Sequence, residues 1–227
     1  MLKAVIFDFD GVISNSEPSH FAAVNKVLAD FNIQIGEKDY YAEYLGFTDY
    51  ELFESVAKKH KTDYNGISIE TLIERKAFFF QELIRQSNHL IDGIVELVAE
   101  IKKNNIKLAI NSGACLADIK VMLAGSAIEN SFDVIVAADD VEKGKPDPEG
   151  YLLALEKLNR ISDTPISAGQ CVVIEDSHWG ILSAKKAGMK VIAVTNSYPA
   201  KELAGSDLII DSVREFKKIG DIQNLCP

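Results

Sequence analysis

Residues 2–12 read LKAVIFDFDGV, an almost unbroken apolar run that stops at two aspartates flanking a phenylalanine. A run with no apolar–polar alternation is the pattern of a strand buried on both faces, as in the middle of a parallel sheet. Similar runs recur at 107–110, 134–137, 171–174 and 191–194, with a shorter one at 208–210. Helical patterns lie between them. Ile94, Leu97, Val98 and Ile101 keep the i, i+3, i+4, i+7 spacing, and 151–158 and 178–187 are similar stretches. Strands alternating with helices predict an α/β fold, a Rossmann-like doubly wound parallel sheet.

One interruption breaks the alternation. Between the first strand and the helix near Gly93, the chain has amphipathic helices in place of a buried strand: Phe21, Val24, Val27, Leu28 and Phe31, then Leu72, Ile73, Phe79, Phe80 and Leu83. A structureless loop of that length is implausible in a compact domain. The expected organisation is therefore a Rossmann-like core of residues 1–15 plus 89–227 and an inserted small α-helical domain of residues 16–88.

Composition narrows the function. Lys and Arg total 24 against 34 Asp and Glu, a net charge of −10 over 227 residues. That balance opposes sequence-independent nucleic-acid binding, which needs a basic footprint. With 47% hydrophobic residues the chain can bury a core, yet no stretch nears the roughly 18 apolar residues of a membrane span. The carboxylates at positions 8 and 10 interrupt what a signal peptide would keep apolar. Three separated cysteines (Cys115, Cys171, Cys226), odd in number and without CxxC, suggest reduced thiols and a cytoplasmic protein.

The chemistry-bearing residues sit where such a sheet collects ligands, just past the carboxyl ends of strands. Asp8 and Asp10 follow the first strand and Ser112 the second. Lys145 lies in the loop after 134–137, and Glu175 with Asp176 follows 171–174. Any one of them alone reads as a turn or cap residue; together they read as a site. FDFDGV at 7–12, Ser112, KGKPDP around Lys145 and VVIEDSHWGILSAKKAGM at 172–189 resemble the haloacid dehalogenase-like phosphohydrolases. The insert after the first motif, with the spelling DGVISNSE, is similar to the β-phosphoglucomutase-like branch with its helical cap.

The resemblance implies a mechanism that the residue chemistry suits. Asp8 is the nucleophile that forms an aspartyl-phosphate, as carboxylates can. Mg²⁺, a hard octahedral cation, offsets the repulsion between a carboxylate and a dianionic ester. Its implied contacts are Asp8, the backbone carbonyl of Asp10, and Asp176, with Glu175 touching the metal or its waters. Lys145 adds fixed charge, while Ser112 and the amides opening the helix after Gly113 donate to phosphoryl oxygens. Asp10 serves as acid and then base, a role dehalogenation does not need. The expected partner is a small phosphorylated metabolite, with no nucleic acid or membrane involved, and a monomer is expected over an oligomer.

Cap residues carry the substrate expectation. Lys76 falls in the middle of the apolar face formed by Leu72, Phe79, Phe80 and Leu83. It either snorkels or points at the substrate's distal group, as the resembled branch implies. His20 is implied to lie near the acid/base, and Leu45-Gly46-Phe47 resembles the loop over the active site. The mutase pattern continues with an arginine for a second phosphate. Here the chain reads Thr48-Asp49-Tyr50-Glu51, which brings acids instead. Hydrolysis of a small phosphomonoester such as a sugar phosphate is therefore preferred to the alternative, a β-phosphoglucomutase or other phosphosugar mutase. A receiver-like signalling module would have no use for Asp10 or the helical lobe. Asp147, Ser177 and Gly188 read as helix caps and stops, and Trp179 and the cysteines as packing or neutral.

Overall fold

The computed structural model describes residues 1–85, 89–216 and 218–226. The chain divides into two compact units, Met1–Asn15 with His89–Pro227, and Ser16–Asn88. The first unit begins with β1 (Ala4–Phe7). The second holds helices α1 (Glu17–Leu28), α2 (Glu37–Glu43), α3 (Asp49–His60) and α4 (Ile69–Ile84). The first then resumes with α5 (Ile94–Lys103), β2 (Lys107–Asn111), α6 (Leu116–Leu123), β3 (Val134–Val136) and α7 (Glu149–Arg160). It ends with β4 (Cys171–Glu175), α8 (His178–Lys186), β5 (Lys190–Val194), β6 (Leu208–Ile210) and the short α9 (Gly220–Gln223).

All strands pair in parallel, in the order β3-β2-β1-β4-β5-β6. Every strand expected from the apolar runs is present. β1 lies at the centre, its four residues buried on both faces, which is why its sequence shows no alternation. Successive side chains still point to opposite faces. Ala4 and Ile6 join Ala109, Val173 and Val191 in one core with Tyr151, Ala154 and Leu158 of α7 and Ile181 and Ala184 of α8. Each fully buried Ile or Val there contributes roughly 1.5–3 kcal/mol.

This order reverses direction at β1, with β2 and β3 on one side and β4 to β6 on the other. At such a switch point the loops leaving the carboxyl ends of neighbouring strands diverge and open a crevice. The loops after β1, β2 and β4 are the ones that carry the acids and Ser112 found in the sequence. Among the described residues no helix is long and apolar enough to cross a membrane.

The helical unit has its own core, built from Val24, Val27 and Leu28 of α1, Phe53 and Val56 of α3, and Leu72 of α4 with Tyr40 and Tyr64. Thr48 starts α3 with a capping box: its Oγ1 accepts from the Glu51 amide at 3.2 Å, and its own amide donates to Glu51 Oε2 at 2.8 Å. The buried line of α4 is Leu72, Lys76, Phe80 and Ile84. Phe79 and Leu83, expected on that face, are only partly buried.

Lys76 does not snorkel. It is 5% exposed, and its Nζ lies 2.9 Å and 3.0 Å from the two oxygens of Asp49 and 2.7 Å from His20 Nδ1. An ammonium only donates, so Nδ1 accepts and the His20 proton sits on Nε2. The imidazole also stacks on Phe80, ring centroids 4.1 Å apart. Burial, reinforced by the Lys76 charge, lowers the His20 pKa to about 3.

The folded state thus refuses a proton that the unfolded chain accepts near pH 6.5. His20 favours folding above that pH, and this contribution is lost as pH falls from about 6.5 towards about 3. A two-dimensional NMR titration should find the His20 ring resonances flat between pH 8 and 5. Lys76→Met should raise the pKa only part of the way, because burial remains.

Candidate active site

The site begins where β1 ends. The Asp8 amide donates to the Ile174 carbonyl at 2.9 Å, continuing the β1–β4 ladder one residue past Phe7. The register places the Asp8 carboxylate beside Glu175, the last residue of β4. Lys145 Nζ lies between them, 2.5 Å from Asp8 Oδ1 and 2.6 Å from Glu175 Oε1. Burial alone would disfavour its charge, yet the two carboxylates hold its pKa well above the ordinary lysine value. Asp10, partly exposed, sits in a tight turn closed by the Gly11 amide donating to the Ser14 carbonyl at 2.7 Å. Gly11 takes φ +81°, and a Cβ there would overlap the Asp176 carboxylate, so only glycine serves on both counts.

Glu175 is fully buried and both its oxygens are committed. Oε1 accepts from Lys145 and from the Tyr151 hydroxyl at 2.8 Å. Oε2 accepts from the amides of Asp176 and Ser177, each at 3.1 Å, and from the Ser177 hydroxyl at 2.9 Å. Ser177 Oγ in turn accepts from the Gly180 amide at 3.0 Å, capping α8 as expected from sequence. A side chain at Gly180 would overlap the Glu175 carboxylate. Asp176 is 3% exposed and accepts a hydrogen bond from Ser197 Oγ at Oδ2.

Asp8, Glu175 and Asp176 each offer an oxygen within 4.8 Å of the others. Burial, more than the opposing Lys145, raises the Asp8 carboxyl well above the carboxylate range, with Glu175 and Asp176 adding to the rise. Burial, followed by the Glu175 charge, pushes Asp176 up to about 7. Both acids resist ionising here because, fully ionised, the three carboxylates would outnumber the Lys145 ammonium beside them. Hard oxygen donors with a surplus of negative charge fit a small divalent cation.

Ser112 follows β2 and is 5% exposed. Its Oγ accepts from the Ala114 amide at 2.9 Å, which leaves the hydroxyl proton for another acceptor. A cavity of about 230 Å³ is lined by Ser112, Gly113 and Lys145 together with Asn111 and Gly144. The expectation that amides opening a helix after Gly113 line this place needs refinement. α6 starts only at Leu116, and the Leu116 amide already donates to Asp139 Oδ2 at 2.9 Å.

The structure therefore brings together Asp8, Lys145, Glu175 and Asp176, and joins Ser112 and Gly113 to Lys145 around one cavity. His20 and Lys76 meet each other within the helical unit. Gly46 occupies an exposed turn ahead of α3 with φ +85°. Asp49, read from sequence as an unopposed carboxylate, is paired with Lys76. Asp147, read as a helix cap, accepts from the Glu149 amide at Oδ1 at 3.1 Å, but the N-cap of α7 is Pro148, and Trp179 is half exposed.

Sequence reasoning missed Tyr151, Asn196 and Ser197. Tyr151 was absorbed into an apolar helical pattern, although a buried tyrosine usually needs a partner for its hydroxyl. Asn196 and Ser197 gave no signal, since polar residues after a strand are ordinary loop composition.

Residues 5–194 match the haloacid dehalogenase-like hydrolase family. The chain is 32% identical to β-phosphoglucomutase of Bacillus subtilis (strain 168), covering 92% of this chain and 89% of that protein. It is 33% identical to the phosphorylated carbohydrates phosphatase of Thermotoga maritima, covering 84% of each. Its structure superposes on a CbbY variant from Rhodobacter sphaeroides in complex with xylulose 1,5-bisphosphate. That match has a TM-score of 0.83 at 27% identity, over 97% of this chain and 98% of that one. Motif order, strand order and matched span agree: the chain belongs to the haloacid dehalogenase-like hydrolase family.

Proposed function

We propose that this protein is a Mg²⁺-dependent phosphatase that hydrolyses a small phosphomonoester, a sugar phosphate, through an aspartyl-phosphate on Asp8. The observation that carries the reading is Lys145 held between Asp8 and Glu175 at the switch point, with Asp176 alongside. A carboxylate kept in place by an ammonium is an oriented nucleophile for phosphorus. Relatives named as acting on phosphorylated sugars and carbohydrates support the substrate class.

In the first step Asp8 Oδ forms a bond to phosphorus while the ester P–O bond breaks. Asp10 gives its proton to the departing alkoxide oxygen. In the second step water attacks phosphorus, Asp10 takes a proton from it, and the bond to Asp8 breaks to release phosphate. Lys145 and Ser112 hold the phosphoryl oxygens throughout. Mg²⁺ at Asp8 and Asp176 would supply the charge that lets a carboxylate approach a phosphate dianion. Glu175, with both oxygens already accepting, orients Lys145 and would add its charge to the carboxylates that hold the cation. His20, Lys76 and Gly46 on the helical unit are assigned to the substrate's distal end, and the protein is assigned to the cytoplasm as a monomer.

The alternative, a phosphosugar mutase, draws support from the β-phosphoglucomutase relative. It requires a place for a second phosphate. Lys76, buried in the helical unit, already spends its charge on Asp49. Hydrolysis is therefore the preferred reading.

Five outcomes are expected. Asp8→Asn should lose both turnover and covalent phosphate, read by intact-protein mass spectrometry after quenching. Asp10→Asn should lose about 10²–10⁴-fold on alkyl phosphates and much less on acetyl phosphate, whose leaving group barely needs a proton. Equal losses on both donors would assign Asp10 to structure alone. In a phosphate-release assay over a panel of phosphometabolites, chelator should abolish turnover and Mg²⁺ restore it, whereas Ca²⁺ should inhibit through its looser coordination. Wild type given β-glucose 1-phosphate and a bisphosphate primer should yield free phosphate, not glucose 6-phosphate. Asp49→Asn should release the Lys76 charge and bind sugar bisphosphates more tightly than wild type, measured by calorimetry. No gain would mean that Lys76 does not face substrate.

A further inference from the structure

The loop after β5 carries none of the family motifs, yet it is fastened at both ends of its reach. Its base is held by β6. The Thr195 amide donates to the Ile210 carbonyl at 3.1 Å and Thr195 Oγ1 to Asp211 Oδ1 at 3.0 Å. From that base two consecutive side chains turn towards the reactive centre. Asn196 Nδ2 donates to the Gly11 carbonyl at 2.7 Å, inside the turn that carries Asp10. Ser197 Oγ donates to Asp176 Oδ2. The three loops interlock closely enough that a side chain at Gly11 would strike both Asp176 Oδ2 and Ser197 Oγ.

Packing does not account for these two residues. Asn196 and Ser197 are both exposed and contribute nothing to the apolar core. Their hydrogen bonds go to two places that the chemistry needs fixed, a metal-binding carboxylate and the turn that aims an acid. Asp176 has two oxygens, and a donor on Oδ2 sets which way Oδ1 points. Without that donor the carboxylate can rotate about its Cβ–Cγ bond, and it pays the entropy of being ordered when a cation arrives.

We propose that Asn196 and Ser197 are positioning residues: Ser197 presents Asp176 to the divalent cation, and Asn196 locks the Gly11 turn so that Asp10 keeps its aim. This inference rests on the metal-dependent phosphatase reading above. Outer-shell partners of metal-ligating carboxylates commonly contribute 10–100-fold in metal affinity, and a displaced acid can cost up to about 100-fold in rate. The two residues should therefore separate experimentally, one acting on metal binding and the other on turnover.

The test is calorimetric titration of Mg²⁺ into chelator-treated wild type, Ser197→Ala, Ser197→Thr and Asn196→Ala. Steady-state kinetics on an alkyl phosphate, whose leaving group needs the Asp10 proton, and thermal unfolding accompany it. Ser197→Ala should bind Mg²⁺ about 10–100-fold more weakly with its melting temperature unchanged, and Ser197→Thr, which keeps the hydroxyl, should bind as wild type does. Asn196→Ala should keep Mg²⁺ affinity and KM and lose kcat. A wild type that binds Mg²⁺ alongside a Ser197→Ala that binds it equally well overturns the Ser197 assignment. An unchanged kcat in Asn196→Ala overturns that of Asn196. A wild type that binds no divalent cation overturns the phosphatase reading itself, a result distinct from either.

Discussion

Two carboxylates on adjacent strands, one residue past a paired rung, set the terms for everything around them. Because Phe7 pairs with Ile174, the next positions, Asp8 and Glu175, emerge side by side at the end of β1 and β4. Neighbouring strands lie about 4.8 Å apart, and two buried acids at that spacing cannot both ionise without a cation. Lys145 is that cation, delivered by the loop ahead of α7 into the gap between them. The parallel register creates the charge problem, and the third loop answers it.

The answer is then braced from below. Glu175 accepts from Lys145, Tyr151, Ser177 and two backbone amides, so it ties α7 and the start of α8 to the end of β4. Such an acid is fixed in charge and direction. Removing one partner of a buried pair of this kind typically costs about 3–5 kcal/mol, because the other charge is left uncompensated. Glycine at 180 follows from the same crowding, since the carboxylate fills the space a Cβ would take. Asp176 is the contrast: one hydroxyl holds it, and its carboxyl sits near neutrality's edge at about 7 through burial and the Glu175 charge. Of the two acids in the Glu175-Asp176 pair, the first is built into the scaffold and the second keeps bonding capacity for a ligand.

What could be read from sequence follows the same division. β1 was legible because burial on both faces erases alternation, and the switch-point acids were legible because each ends an apolar run. Lys76 stood out as a charge on an apolar helical face. Its partner did not, since Asp49 lies 27 positions away on another helix and nothing in local spacing joins them. Read alone, Asp49 looked like a repulsive carboxylate; in place, it is half of an ion pair. Tyr151 was hidden for the opposite reason: its ring satisfies the helical period so well that its hydroxyl drew no notice. Asn196 and Ser197 act through tertiary hydrogen bonds from a loop, and a loop's polar residues look alike until their acceptors are known. Residues that satisfy a periodicity or a motif are visible in one dimension, and residues that satisfy only a partner are not.

The two units also differ in charge balance, and on the proposed reading that difference bears on selectivity. The core unit gathers three acids around one ammonium and is short of positive charge. The helical unit's cluster is balanced, with Lys76 against Asp49 and a neutral His20. On the proposed reading the first requires a cation and a phosphoryl group together, whereas the second has no net charge to offer an anion. What it holds is a neutral His20, its proton on Nε2, beside the Lys76–Asp49 ion pair, and on the proposed reading these hydrogen-bonding groups meet the substrate's distal end. Groups of that kind discriminate chiefly by penalty, because a substrate lacking the matching group leaves them desolvated and unpaired. On the proposed reading, the fold and its motifs set the reaction class, and a few hydrogen-bonding atoms of the helical unit set the substrate.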